Sequence, residues 1–270
     1  VSIVSALDGL PLAIELAAAR MHLMTPAMLH ARIADRFRLL KRPLQAGPAR
    51  HQTLQAALGW SWDLLEPWEQ AALAQCSLFH GGFDWEAVEA VVDLSDWPEA
   101  PWSVDVVAEL IERSLMMVTE TERSLGRLSL LSSVAEFARA QRVGMKEACV
   151  QGAGLRHAQH FSQFGSQDYI DSLSSTGSVS RLWRMHGELE NLVAGVDVAL
   201  AFDDADTAAQ CAIGAAVVLA KHGPFTKATT ILDSLLGHDV SPTTQGRLFQ
   251  YSGWVLKLSG HTSEAEAAYK

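Results

Sequence analysis

The stretch "RHQTLQAALGWSWDLLEPWEQAALAQCSLFHGGFDWEAVEAV" (50–91) decides how the rest of this chain is read. From Leu54, the residues Leu54, Leu58, Trp62 and Leu65 fall on one helical face, and Ala57, Trp60 and Leu64 widen it. So broad an apolar surface predicts a helix buried on two sides. A tryptophan buries on the order of 200 Å², so two on one helix would anchor two faces at once. Pro67 predicts the start of a second helix, where its fixed φ and missing N–H cost nothing. "HGGF" (80–83) supplies a turn, and a third helix is expected from Trp85 to Val92.

Further along, a proline-containing loop leads to "SVDVVAELIERS", read as a fourth helix. Then the period changes. "LMMVTE" (115–120) and "GRLSLL" (126–131) are short β-prone runs around the polar turn "TERS", which predicts a hairpin. "SSVAEFARAQR" returns to helix. Several helices followed by a two-stranded hairpin is the order of a winged helix-turn-helix. Toward the N-terminus, "DGLPLAIELAAARM" places Gly9 and Pro11 at a helix start. "TPAMLHARIADRF" opens with Thr25 as cap and Pro26 at the first helical position. Pro43, Gly47 and Pro48 mark a linker.

After Gly144 the pattern is almost wholly helical. Segments 212–232 and 249–269 resemble each other at an offset of 37 residues. In each, a glycine (Gly223, Gly260) stands five residues before an alanine (Ala228, Ala265) and nine before Leu232 or Tyr269. These offsets match the tetratricopeptide repeat, with an ordinary alanine-rich helical bundle as the alternative. The expected organisation is mainly α. It has a helical domain (1–48), a winged-helix domain with a small hairpin (49–143) and an incomplete tetratricopeptide-like array (150–270).

Composition narrows the function. Lys and Arg number 21 against 31 acidic residues, a net charge of −10. A protein that grips nucleic acid by neutralising phosphates carries the opposite balance. The helix "SVDVVAELIERS" would expose Asp105, Glu109 and Glu112 against Arg113 alone, so no direct DNA binding is expected of it. Cys76, Cys149 and Cys211 form no CxxC pair and read as reduced structural thiols in a cytoplasmic protein. No apolar run reaches the roughly 18 to 20 residues of a membrane span. "AAQCAIGAAVVLA" (208–220) instead fits a buried helix. His157 and His160 could share a metal at their i, i+3 spacing, but no third ligand is near, and surface histidines are expected. The chain starts without Met and stops within a helical pattern, as a fragment would.

"LDGLPLAIELAAAR" resembles the GLPLA motif of the NB-ARC class of STAND signal-transduction ATPases. The stretch 50–91 resembles the start of the winged-helix domain in bacterial members, described as LuxR- or SARP-type transcriptional regulators or ATPases. "SWDLL" (61–65), "LIERSLM" and "RLSLLSSVAEFARAQ" match further steps of that domain. The likeness covers about residues 3 to 143.

The resemblance implies a switch that holds ADP when closed and exchanges it for ATP on sensing a signal, then exposes surfaces for a homo-oligomer or an effector. It places Gly9, Leu10, Pro11 and Leu12 at the nucleotide, with Ser61 in the matched helix; the basic run "ARIADRFRLLKR" adds Arg50 and His51 as candidates at the domain junction. Pro11 would offer its ring to adenine or ribose, or simply start a helix. Arg50 and His51 could approach phosphates, or belong to a solvated basic face. The "MHD"-like positions are here Leu130, Leu131 and Ser132, so a histidine contact to phosphate is missing or made elsewhere. There is no GxxxxGK[ST] loop, so this segment should not itself be an ATPase. ADP or ATP, with Mg²⁺, would be gripped by an upstream domain of the same chain. A protein or small ligand would be sensed through the repeats. The rival reading is a protein-interaction scaffold that handles no nucleotide.

Overall fold

The computed structural model describes residues 3, 4, 7, 14, 17, 18, 21, 25–31, 54–121, 124–145 and 147–268. Over these residues the chain is mainly helical, with one two-stranded antiparallel sheet. In chain order the first elements are α1 (Pro26–Ala31), α2 (Leu54–Asp63), α3 (Pro67–Cys76), α4 (Trp85–Val91) and α5 (Ser103–Glu112). The sheet follows as β1 (Met116–Thr121) and β2 (Ser124–Leu130), then α6 (Ser132–Gln141). The remainder is α7 (Glu147–Ser162), α8 (Gln167–Ser172), α9 (Ser178–Gly187) and α10 (Leu189–Ala201). It closes with α11 (Ala205–His222), α12 (Phe225–Asp233), α13 (Pro242–Leu258) and α14 (Thr262–Ala268).

These elements form two compact units that do not follow chain order. The first comprises 1–77, 94–117 and 130–145; the second comprises 78–93, 118–129 and 146–270. The middle of the hairpin therefore groups with the C-terminal helices, while its outer ends group with α2, α3, α5 and α6.

In the first unit α3 is the central helix, packed by α5 and α6. Pro67 begins it, and a capping box closes its first turn: the Glu66 N–H donates to Glu69 Oε2 at 2.8 Å. Ala71, Ala72, Leu73, Ala74 and Cys76 are all buried. Glu69 is buried too, and its second oxygen meets Arg113 at 3.2 Å. The Arg139 Nε–H donates to the Ser77 carbonyl at 3.1 Å, tying α6 to the end of α3.

Helix α2 is not buried on two sides. Leu54 and Leu65 are buried, and Trp62 sets its ring edge-on to Phe137 of α6 at 6.0 Å, but Trp60 is 50% exposed. Two residues along a helix turn the side chain by roughly 200°, so Trp60 and Trp62 cannot share a face. Trp62 takes the packed one.

The second unit is built around α11, in which Ala208, Ala209 and every residue from Cys211 to Ala220 are buried. It touches α7, α10, α12 and α13. So many neighbours require small residues at the contacts. The closest lies at Gly165, where a Cβ would sit 1.7 Å from the Gln210 carbonyl oxygen, a backbone atom that cannot swing away. No helix among the described residues is long and apolar enough to cross a membrane.

The 37-residue offset has a structural counterpart. Helices α11 and α12 join through Gly223, and α13 and α14 through Gly260, both with positive φ (+70° and +89°). Ala228 and Ala265 are buried at matching places on the second helix of each pair.

Two glycines test this packing with opposite signs. Gly165→Ala should cost about 3 kcal/mol or more, because α11 must shift to admit the methyl. Gly246→Ala, in α13 with nothing within 4 Å, should stabilise by about 0.5–1 kcal/mol. Urea denaturation midpoints of the two variants check both.

Candidate functional site

Within the second unit, the "HGGF" turn is held by a set of polar side chains that burial forces to pair. Phe79 and Phe83 flank the turn and stack on each other, 3.9 Å between centroids. Phe83 forms an antiparallel bridge to Leu128 of β2, with N–H···O distances of 2.9 and 2.7 Å. The chain reaches that register through Gly81 and Gly82, at φ +68° and +92°. A Cβ on Gly82 would also stand 2.8 Å from the Leu128 carbonyl oxygen. Only glycine meets both conditions.

Beside the turn stands Arg127 of β2. Its Nη1 pairs with Glu188 Oε1 at 2.5 Å, and its Nη2 reaches Glu188 Oε2 at 3.1 Å, the two-pronged geometry that suits guanidinium and carboxylate. The same Nη2 donates to the Gly82 carbonyl at 2.9 Å and the Gly187 carbonyl at 2.5 Å. Glu188 stands at the N-cap position of α10, its side chain turned to Arg127 and Asn191 and not to the helix's own N–H groups, and is 1% exposed.

Asn191, one turn into α10 and fully buried, completes the set. Its Nδ2 donates to Gly82 O and Glu188 Oε2, each at 2.8 Å, while its Oδ1 accepts from the His80 N–H at 2.7 Å. On the outer side, Arg184 of α9 pairs with Asp84 at 2.9 Å and with Glu86. Asp84 also caps α4, accepting from the Ala87 N–H at 2.9 Å.

His157 of α7 lies behind this cluster and is buried, contrary to the surface position expected of it. Phe79 and Phe161 enclose its ring at 5.5 and 4.7 Å, aromatics that its sequence neighbourhood only half reveals. Burial lowers its pKa to about 4, opposed by the contact of Nε2 with Asn191 Oδ1 at 3.4 Å. Its Nδ1 has no partner among the described residues. His160 is also lowered by burial.

No group of three or more metal-ligating side chains occurs among the described residues. Cys76 and Cys211 are buried free thiols. Burial raises both, Cys76 to about 12, so neither offers a thiolate near neutral pH. The cluster is thus a latch, in which a buried carboxylate fixes the hairpin's second strand and the glycine turn to the α9–α10 junction.

Of the residues the sequence pointed to, Gly9, Leu10, Pro11, Leu12, Arg50 and His51 lie outside the described residues. Ser61 is on α2, partly buried, its hydroxyl donating to the Ala57 carbonyl at 3.2 Å. Leu130 ends β2 and Leu131 precedes α6, both half-buried, while Ser132 is exposed. On α5, Asp105, Glu109 and Glu112 are exposed, as its apolar spacing required. Arg127, Glu188 and Asn191 were not singled out from the sequence. The local signal was the Gly-Gly turn, but nothing there names its partners.

The chain is similar to proteins of mycobacteria. It is 36% identical over 171 residues to proteins of Mycobacterium tuberculosis and Mycobacterium bovis, each named "Putative HTH-type transcriptional regulator". That match covers 63% of this chain and 18% of each relative. It is 38% identical over 132 residues to an uncharacterized protein of Mycobacterium tuberculosis, covering 49% of this chain and 33% of that one. The chain thus spans less than a fifth of the first relatives and about a third of the other. No protein-family model matches it, and no solved structure matches it significantly.

Asn191→Ala should lower stability by about 2–4 kcal/mol, since it strips partners from a buried carboxylate and a buried carbonyl together. Folded His157 stays neutral, whereas in the unfolded chain it protonates near pH 6.5. Its contribution should be complete above that pH, decline as pH falls toward 4, and be level below, a loss of about 3 kcal/mol. Urea midpoints at pH 7 and pH 5 should separate clearly for the wild type and much less for His157→Phe, where His160 alone keeps a dependence of the same sign.

Proposed function

We propose that this chain is the regulatory segment of a STAND-type transcriptional regulator. On this reading its N-terminal helices end an NB-ARC module whose P-loop domain lies upstream. Residues 49–143 form a winged helix that closes over ADP or ATP held there. The C-terminal helices form a tetratricopeptide-like arm that senses a protein or small ligand. The segment hydrolyses nothing by itself, and its role is to bias the switch.

The observation that carries the reading is a run of helices followed by a two-stranded hairpin and a further helix. Helices α3, α4 and α5, then the hairpin, then α6 run in the order helices, hairpin, helix read from the sequence, and paired helices with matching glycine turns follow; both support this reading. The relatives' printed name supports a regulatory role. The exposed acids of α5 weigh against that helix entering a DNA groove, so DNA contact is assigned to another part of the whole protein.

A longer protein that includes the 150 to 200 or so preceding residues tests this by domain-size arithmetic. It should contain a P-loop and bind ADP, and Pro11→Ala should weaken ADP binding about tenfold in calorimetric titration, roughly 1.4 kcal/mol. Unchanged affinity, or an upstream segment with no P-loop, would favour the scaffold reading.

A further inference from the structure

The second unit contains a cleft of about 440 Å³ away from the latch. Ile170 and Leu173 at the end of α8, Val217 of α11 and Trp254 of α13 give it apolar walls. Lys221 of α11 and Tyr251 of α13 supply the polar lining used here. Trp254 is half-buried and meets Tyr251 edge-on at 6.0 Å, so each ring fixes the other. Arg247, one turn before Tyr251 on α13, acts on the Tyr251 phenol electrostatically, and its Nη2 donates to the Gly165 carbonyl at 2.6 Å. The aromatic wall thus shares α13 with the Arg247 that anchors to Gly165, the residue in close contact with α11.

Charge decides what would enter. The chain is strongly acidic, at −10, yet the charged group lining this cleft is a lysine that makes no ion pair among the described residues. Asp171 acts electrostatically on Tyr251 but is not among the lining residues, and its Oδ1 accepts a hydrogen bond from Gln167 at 2.8 Å on its own helix. A volume of this order suits a small molecule. A peptide helix, about 10 Å across, would need a longer groove.

We propose that this cleft binds a small organic anion. Its flat apolar body would lie against Trp254, Leu173, Ile170 and Val217, and its carboxylate or phosphate would pair with Lys221. The proposal deepens the sensing role given above and rests on that reading for its regulatory meaning; the binding itself is tested on this chain alone.

The probes are 2-naphthoate, 2-naphthyl phosphate and the neutral 2-naphthamide, titrated into the 270-residue chain by isothermal calorimetry. One anion should bind at 1:1, and the amide should bind at least tenfold more weakly. Lys221→Met should weaken the anion about tenfold without touching the amide, and Trp254→Ala should weaken both. Lys227→Met, an exposed cation on α12, should change neither. Equal affinity for anion and amide, no saturable binding below millimolar concentration, or insensitivity to Lys221→Met would overturn the proposal. So would displacement of a bound anion by an oligoglutamate peptide that binds more tightly, which would assign the cleft to acidic protein segments. If the anion binds as stated but leaves nucleotide affinity of the longer protein unchanged, the site stands and the sensing reading fails.

Discussion

A carboxylate that is 1% exposed cannot stay charged inside a helical protein without partners, and Glu188 is such a group. Its two oxygens take both prongs of Arg127 and the Asn191 amide. Those donors also hold the carbonyl of Gly82, and the Asn191 oxygen takes the His80 N–H. One buried charge thereby fixes a β-strand, a glycine turn and the start of a helix. Isolated, each of these would be ordinary surface structure; a hairpin of two strands is marginal in water. Burying an ion pair is weak evidence for net stability, but losing one partner is severe, so the arrangement specifies geometry more than it adds free energy.

The helices behind the latch solve a different problem. Helix α11 has neighbours on all sides and reaches them through small residues, which lets backbones approach where larger side chains would hold them apart. Arg247 of α13 ties that helix to the Gly165 carbonyl, and the same helix carries Tyr251 and Trp254 of the cleft wall, so the packing in the helical unit also positions its cleft. A ligand that shifted these helices would act on a tightly coupled body.

Much of the element order was legible from sequence because it rests on local rules. Pro67 starts α3, the change from helical spacing to alternation marks the hairpin, and Gly223 and Gly260 mark matched turns. The strands run 116–121 and 124–130, each end within two residues of the runs 115–120 and 126–131 read from sequence. Burial was less legible. Trp60 lies on the open side of α2 because helical geometry separates it from Trp62, and aromatic content alone conceals that. His157 reads as polar beside His160, yet Phe79, far away in sequence, helps bury it. The latch was invisible for the same reason: Arg127 and Glu188 stand 61 residues apart, and a lone charge looks solvated until its partner is known. Apart from Ser61 on α2, the candidate nucleotide-facing residues lie outside the described residues, so sequence remains their basis.

The most direct test of the latch is a double-mutant cycle between Arg127→Met and Glu188→Leu, read from urea denaturation of both single variants and the double. If the buried carboxylate organises the turn and strand, each single change should cost about 3 kcal/mol or more, and the double should cost much less than their sum, a coupling of at least about 2 kcal/mol. Additive losses would contradict the account, because they would mean the two side chains stabilise the protein independently.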